Sequence, residues 1–278
     1  MSLKHWNLVI CLGAFALTAC EQQPAGEPVV RAELGEPVAS AEPAEAVPSP
    51  APTANADSAC QPDTFEGVAL THCIADPERH TIRTSLAPAT GDRFGTIEGW
   101  AAGRNESSIA FVMNAGIYGD DLKPIGYFVE DSERLAELNR GDGDGNFFLK
   151  PNGVFFGTNG NWRIIETDTF LRTIGTRPQF GTQSGPMLVL SGKMHPEFQD
   201  NGPSRQIRNG VGVDSEGRAH FVISDGPISF GAFARYFRDE LKTPNALFLD
   251  GNVSSLWDPA TGRMDNRRVG PLLVVEKK

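Results

Sequence analysis

Short apolar runs that end abruptly at polar, glycine-bearing turns set the limits on what this chain can fold into. "SIAFVMNAG" (108–116), "PMLVLSGKMH" (186–195), "RAHFVISDG" (218–226) and "NALFLDG" (245–251) share this form. Each run has the length and the bounding turns of a strand buried on both faces, and is short for a core helix. "HTIRTSLAP" (80–88) alternates polar and apolar residues, as a half-buried strand does, and "IGYFVED" (125–131) reads as a further strand. In "GVFFGTNGNWRIIET" and "VLSGKM", Asn159-Gly160 and Ser191-Gly192 supply the positive φ of tight hairpin turns. One helix stands out in "SFGAFARYFRDELKTP" (229–244). Phe230, Phe233, Ala234, Phe237 and Leu241 share a face, Ser229 can cap the start, Lys242 sits in the last turn and Pro244 stops it. A strand, a helix and a strand among hairpins predict an α+β fold: a single domain over 60–278 with a mixed, largely antiparallel sheet and a few packed helices.

Before that domain the composition is different. Lys4 precedes the apolar "LVICLGAFAL" (8–17), which is too short to span a bilayer, and "LTAC" then sets Cys20 after small residues. This is the pattern of a bacterial lipoprotein signal over 1–19, with cleavage before Cys20 and acylation there. Two or more acyl chains hold a protein to a membrane far better than one. Glu21, in place of the aspartate that retains such proteins at the inner membrane, favours an outer-membrane anchor facing the periplasm. Residues 20–59 then read as a Pro/Ala/Glu-rich tether, which cannot bury enough apolar surface to offset its chain entropy. The expectation is a cell-envelope lipoprotein that meets the membrane through its anchor only.

The formal charge of -10 comes disproportionately from the tether, and the domain has no basic stripe, so nucleic acid is not an expected partner. With Cys20 acylated, Cys60 and Cys73 are the remaining pair after the signal. In an exported protein an even pair predicts a disulfide. The other reading, a metal site with His72, lacks a ligand set.

Candidate chemistry is scattered. Asp142, Asp144 and Asn146 are spaced as in a calcium loop, but Phe147 and Gly153 occupy the positions needing glycine and glutamate, leaving an acidic turn. His72, His80, His195 and His220 show no metal-binding helical spacing, and His220 lies within a strand as a structural residue would. "FGTQSGPM" misses the G-x-S-x-G elbow by one place; Gln183 and Ser184 can hydrogen-bond a sugar or phosphate, or form a polar turn. Arg208 precedes an apolar strand, where its fork of donors suits a phosphate, with a surface ion pair as the alternative. Asp250 closes a core strand, where a carboxylate can position or deprotonate a group in a cleft. Ser254 and Ser255 follow it, and Asp225 is a second carboxylate at a strand end.

"MNAGIY", "GNFFLKPNGVFF", "TQSGPMLVLSGKMHPEF", "IRNGVGVD" and "NALFLDGNVSS" occur in an order that resembles the phosphodiester glycosidase family, most closely its bacterial exported branch. The resemblance runs from about Asn114 to Pro271. It implies hydrolysis of a sugar-1-phosphodiester at its glycosidic bond; no cofactor is expected, and the residues themselves mark no metal site. By it, Asp250, Arg208 and Asn114 are the catalytic candidates, and Gln183, Ser184, Gly251, Ser254 and Ser255 contact the substrate, with Asp225 beside them. The family's glycine run is here interrupted by Asn252 and Val253, which narrow what can approach the backbone. A non-catalytic glycan- or exopolysaccharide-binding lipoprotein is therefore the alternative expectation.

Overall fold

A computed structural model describes residues 58–86 and 95–278. The expected signal peptide, the Cys20 acylation site and the tether up to residue 57 lie outside the described residues. Strand predominates over helix, in sheets of seven, five, five and two strands. The seven-stranded sheet runs in the order Cys60–Phe65, Val68–Ala75, Ala219–Ser224, Asn209–Val213, Asn245–Asp250, Met187–Leu190, Lys193–Met194.

All pairings among the described residues are antiparallel, which corrects the expectation of a mixed sheet. The reason lies in the strand–helix–strand unit that prompted it. Its strands, Ala219–Ser224 and Asn245–Asp250, do run parallel to each other. The strand Asn209–Val213 lies between them and pairs antiparallel with both.

The seven-stranded sheet is covered on both faces, which is why its central strands are apolar throughout. Along Asn245–Asp250, Leu247 and Leu249 enter one core while Ala246 and Phe248 enter the other. On the first face three sheets meet at their aromatic side chains. Phe221 of the large sheet packs edge-on against Phe111 (5.2 Å) and Phe155 (5.8 Å), each from a different five-stranded sheet. Truncating such a ring costs about 3–5 kcal/mol. The second face is covered by the helix Phe230–Arg235, capped by the Ser229 hydroxyl, which accepts from the Ala232 amide at 3.2 Å. Phe233, Ala234 and Phe237 point into the sheet, as the spacing predicted. From Tyr236 to Glu240 the helix widens to a π turn, closed by the Leu241 amide on the Tyr236 carbonyl at 3.1 Å.

The hairpins form where the turn dipeptides placed them. Asn159-Gly160 (φ 49° and 80°) and Ser191-Gly192 (φ 50° and 75°) are both left-handed pairs. Cys60 and Cys73 stand directly opposite each other in the first hairpin and are joined as a buried disulfide.

Candidate active site

Two of the sheets bring strand ends together at one place. Ile109–Asn114 ends there, Asn209–Val213 begins there and Asn245–Asp250 ends there. A bulge makes the junction. Gly210 pairs with Phe248, yet its neighbour Asn209 pairs with Asp250, so Leu249 is the extra residue. Bulges of this kind re-aim side chains and end pairing. The freed Leu249 carbonyl accepts the Ser184 hydroxyl at 2.8 Å, and the Asp250 amide turns to the Asn209 side chain.

The amide orientations follow from donors that cannot accept. The backbone amide of Asp250 donates to Asn209 Oδ1 at 2.8 Å, so Asn209 Nδ2 is left to donate, to the Asn114 carbonyl and to Asn114 Oδ1, both at 3.0 Å. The Ser255 amide also donates to Asn114 Oδ1, at 2.8 Å, which fixes Asn114 Nδ2 as a second donor. That nitrogen is buried and has no acceptor. Ser254 Oγ contacts Asn209 Oδ1 at 3.1 Å and the carbonyls of Asp250 and Gly251 at 3.2 and 2.5 Å, holding the 250–254 turn closed. Ser255 Oγ donates to the Val253 carbonyl at 3.0 Å. Within that turn Gly251 is buried, while Asn252 is exposed and Val253 half-buried.

Asp250 lies inside this frame and is 3 % exposed. Its carboxylate accepts one backbone hydrogen bond, from Gly251 at 2.7 Å, and has no cationic partner among the described residues. Burial pushes its pKa up to about 7, against the smaller opposing effect of the Gly251 amide. Tyr118, also buried, feels the Asp250 charge: burial first, and then that carboxylate, raises its phenol well above the ordinary value.

Arg208 is fully buried and has no carboxylate partner among the described residues. Its Nε donates to the Ile228 carbonyl and its Nη2 to the carbonyl and hydroxyl of Ser204, all at 3.0 Å. The guanidinium lies 3.6 Å over the Phe230 ring and 5.6 Å from that of Phe248. Nη1 has no acceptor among the described residues. Burial lowers the pKa to about 9, so the group stays charged at neutral pH. The surface ion pair weighed from sequence does not occur.

Three buried side-chain polar atoms lack a partner among the described residues: Asn114 Nδ2, Arg208 Nη1 and Gln206 Oε1. Such orphans are rare in folded proteins and each asks for an explanation. Here they belong to the strand end at Asn114 and to the segment leading into Asn209. No group of three or more His, Cys, Asp or Glu side chains among the described residues is placed to hold a metal ion.

The other sequence candidates are engaged elsewhere. Gln183 Oε1 accepts from the amides of Tyr127 and Asn139, both at 2.9 Å, and its Nε2 donates to the Asn139 carbonyl and Thr167 hydroxyl. Its hydrogen-bonding capacity is filled by the protein. Ser184 is buried, holds Leu249 and receives the Ile117 amide at 3.4 Å. Both belong to the frame that supports the site. Asp225 is drawn to Arg263 at 2.7 Å and Thr71 at 3.0 Å and touches none of the Asn114–Asn209–Asp250 group. The NAG and QSG turns need each other: a side chain at Gly116 would lie 2.2 Å from the Gln183 carbonyl. Sequence reasoning missed Asn209, the hub of the cluster, and Tyr118. The signal for Asn209 was a polar amide opening an otherwise apolar strand beside Arg208, and it has meaning only once the register is known.

Comparisons with known proteins bear on the family and the fold. A family model described as phosphodiester glycosidase matches residues 107–276. The Escherichia coli (strain K12) protein YigE is 33% identical over 183 residues, covering 66% of this chain and 71% of its own. Among solved structures, the catalytic domain of zebrafish N-acetylglucosamine-1-phosphodiester alpha-N-acetylglucosaminidase, auto-inhibited by its pro-peptide, aligns with a TM-score of 0.53 at 14% identity. That alignment covers 79% of this chain and 82% of that one. A hypothetical protein from Synechocystis aligns with a TM-score of 0.50 at 17% identity, over 79% of this chain and 61% of its own. At such identities the two structures speak for the fold.

Proposed function

The chain belongs to the phosphodiester glycosidase family, and on that premise we propose an exported hydrolase, anchored to the outer membrane through acylated Cys20 and facing the periplasm. It cleaves the glycosidic bond of a sugar-1-phosphodiester. What carries the reading is a buried cation and a buried carboxylate, both without an ionic partner among the described residues: Asp250 ends one strand, and Arg208 immediately precedes the strand that pairs with it. Leaving such groups uncompensated is costly, and a ligand that brings both an anion and a proton donor would satisfy them.

In the reaction, water attacks the anomeric carbon and gives its proton to the Asp250 carboxylate. The bond from that carbon to the bridging oxygen breaks, and its electron pair leaves with the phosphate. The products are free sugar and a phosphomonoester. Arg208 Nη1 donates to the departing phosphate, and Asn114 Nδ2 to a sugar hydroxyl or phosphate oxygen. Phosphate is a good leaving group, so charge stabilisation matters more here than a strong acid. Asp250, with a pKa near neutrality, can take the proton and release it to solvent. Asn209 holds Asn114, Asp250 and Ser254 in place without touching substrate.

A second reading is favoured by the Asn252-Val253 interruption: a glycan-binding lipoprotein that keeps the cleft without turnover. Incubating the full chain in detergent with N-acetylglucosamine-1-phosphodiesters, beside Asp250→Asn, separates the two. Free sugar from the wild type alone supports the hydrolase. Retained substrate binding with no release in either protein gives the binding reading.

A further inference from the structure

A cavity of about 300 Å³, lined among others by Glu197, Phe198, Gln199, Ser204 and Phe230, adjoins Arg208 through two of those residues. Ser204 takes both Nη2 hydrogen bonds of Arg208, and Phe230 carries the guanidinium on its face. Phe230 in turn packs on Phe248 at 5.0 Å, two residues before Asp250 and so about 7 Å along that strand. The walls of the cavity therefore touch the buried cation directly, and reach toward Asp250 by way of Phe248.

The cavity is built into the fold. His195, Phe198 and Phe230 stack at 4.8 and 4.9 Å between centroids, and Arg208 continues the stack. The loop above it is pinned: a side chain at Gly231 would lie 2.2 Å from the Gln199 carbonyl, and Arg235 donates to the Asp200 carbonyl at 2.9 Å. Glu197 and Gln199 are exposed.

The geometry points to this cavity as the subsite for the group esterified to the phosphate on the side away from the scissile sugar, and to that group being hydroxyl-rich and uncharged. This inference rests on the function proposed above. The volume is at the small end of ligand sites, about 300–1,000 Å³, which suits one ring or a short polyol. Aromatic walls take the carbon face of such a group, and the free Glu197 and Gln199 side chains take its hydroxyls. A further phosphate in that group would meet the Glu197 carboxylate, which argues against nucleoside diphosphates.

Two diesters with the same N-acetylglucosamine test it, one bearing glycerol on the phosphate and one bearing methyl. Glu197→Gln and Gln199→Ala are expected to raise KM for the glycerol diester roughly tenfold, about 1.4 kcal/mol of lost binding, and to leave kcat/KM for the methyl diester unchanged. Equal effects on both diesters, or none on either, would overturn the subsite. Glu197 is exposed, so its variant controls for folding. Calorimetric titration with glycerol 1-phosphate separates this inference from the function it rests on. No turnover, with glycerol phosphate binding that weakens in both variants, keeps the subsite and removes the hydrolase. Turnover with glycerol phosphate binding that neither variant alters does the reverse.

Discussion

Two polar clusters, one half-buried and one fully buried, adjoin the same seven-stranded sheet and are built on opposite terms. On its outer strands His72 and His220 stack and share a hydrogen bond of 2.9 Å; His220 reaches Asp214 at 2.9 Å, and Asp214 accepts from Arg218 at 2.7 Å. Nearby, Tyr236 donates to Asp63 at 2.5 Å. None of these side chains has an orphaned polar atom. Where the middle strands of that sheet meet the end of the strand Ile109–Asn114, Arg208, Asn114 and Asp250 lie deeper, with donors left over and charges unmatched. The contrast separates polar groups that serve the fold from groups held for something outside it. Replacing the first kind costs stability and spares function; replacing the second kind does the opposite.

The largest effect should come from Asp250→Asn. Sugar release is expected to fall by at least about a thousandfold, while the protein becomes more stable. The sign follows from burial. The folded pKa of about 7 lies above the ordinary 3.8, so the native state holds a proton that the unfolded state has lost, and the wild type loses stability as pH rises between those values. The gain from Asn should therefore be small near pH 4 and reach up to about 4 kcal/mol above pH 7, read by thermal unfolding across pH. A destabilised variant would break the contrast. For the same reason kcat/KM should rise with pH through about 7 in the wild type, where the base loses its proton.

Arg208→Met comes next: turnover should fall on the order of a hundredfold, with denaturant stability unchanged or higher, since it removes an uncompensated charge. At the other cluster, Asp214→Ala strands the donors of His220, Arg218 and Glu216 and should cost about 1–3 kcal/mol while kcat/KM stays at the wild-type value. Lost activity at full stability would overturn the division.

The last effect is a pH dependence, which vanishes at neutral pH. Burial, and then the charge of His220, depress His72 to about 4 from 6.5. The unfolded state thus binds the proton first, and up to about 3 kcal/mol of stability should drain away as pH falls from 6.5 to 4. Unfolding curves of His72→Phe that still show this slope would place its origin elsewhere.

Much of the fold was legible because it is local. Asn159-Gly160 and Ser191-Gly192 carry their turn geometry in two residues, Ser229 carries a cap, and an even pair of cysteines in a chain expected to be exported carries a disulfide. Strand order is not local. Nothing near residue 219 or 245 says that Asn209–Val213 will lie between those strands, so the sheet was expected to be mixed. The site followed the same rule. Asp250, Arg208 and Asn114 were visible as polar residues at strand ends, and the family's ordered motifs tied them together. Gln183 and Ser184 looked just as available, because a sequence does not show that Tyr127, Asn139, Thr167 and Leu249 have already claimed them. Asn209 gained its place only through a one-residue bulge.

The meeting of three sheets at Phe111, Phe155 and Phe221 has a further consequence. Asn114, Ser184 and Asn209 come from those same three sheets, so the candidate cleft has no existence in any one of them. It is a conjunction rather than a part. A nascent chain with one sheet unformed would carry every residue of the site and none of its geometry, so competence should arrive in a single late step. Ligand affinity would then report on assembly of the whole domain, and a half-built molecule would be inert toward any ligand.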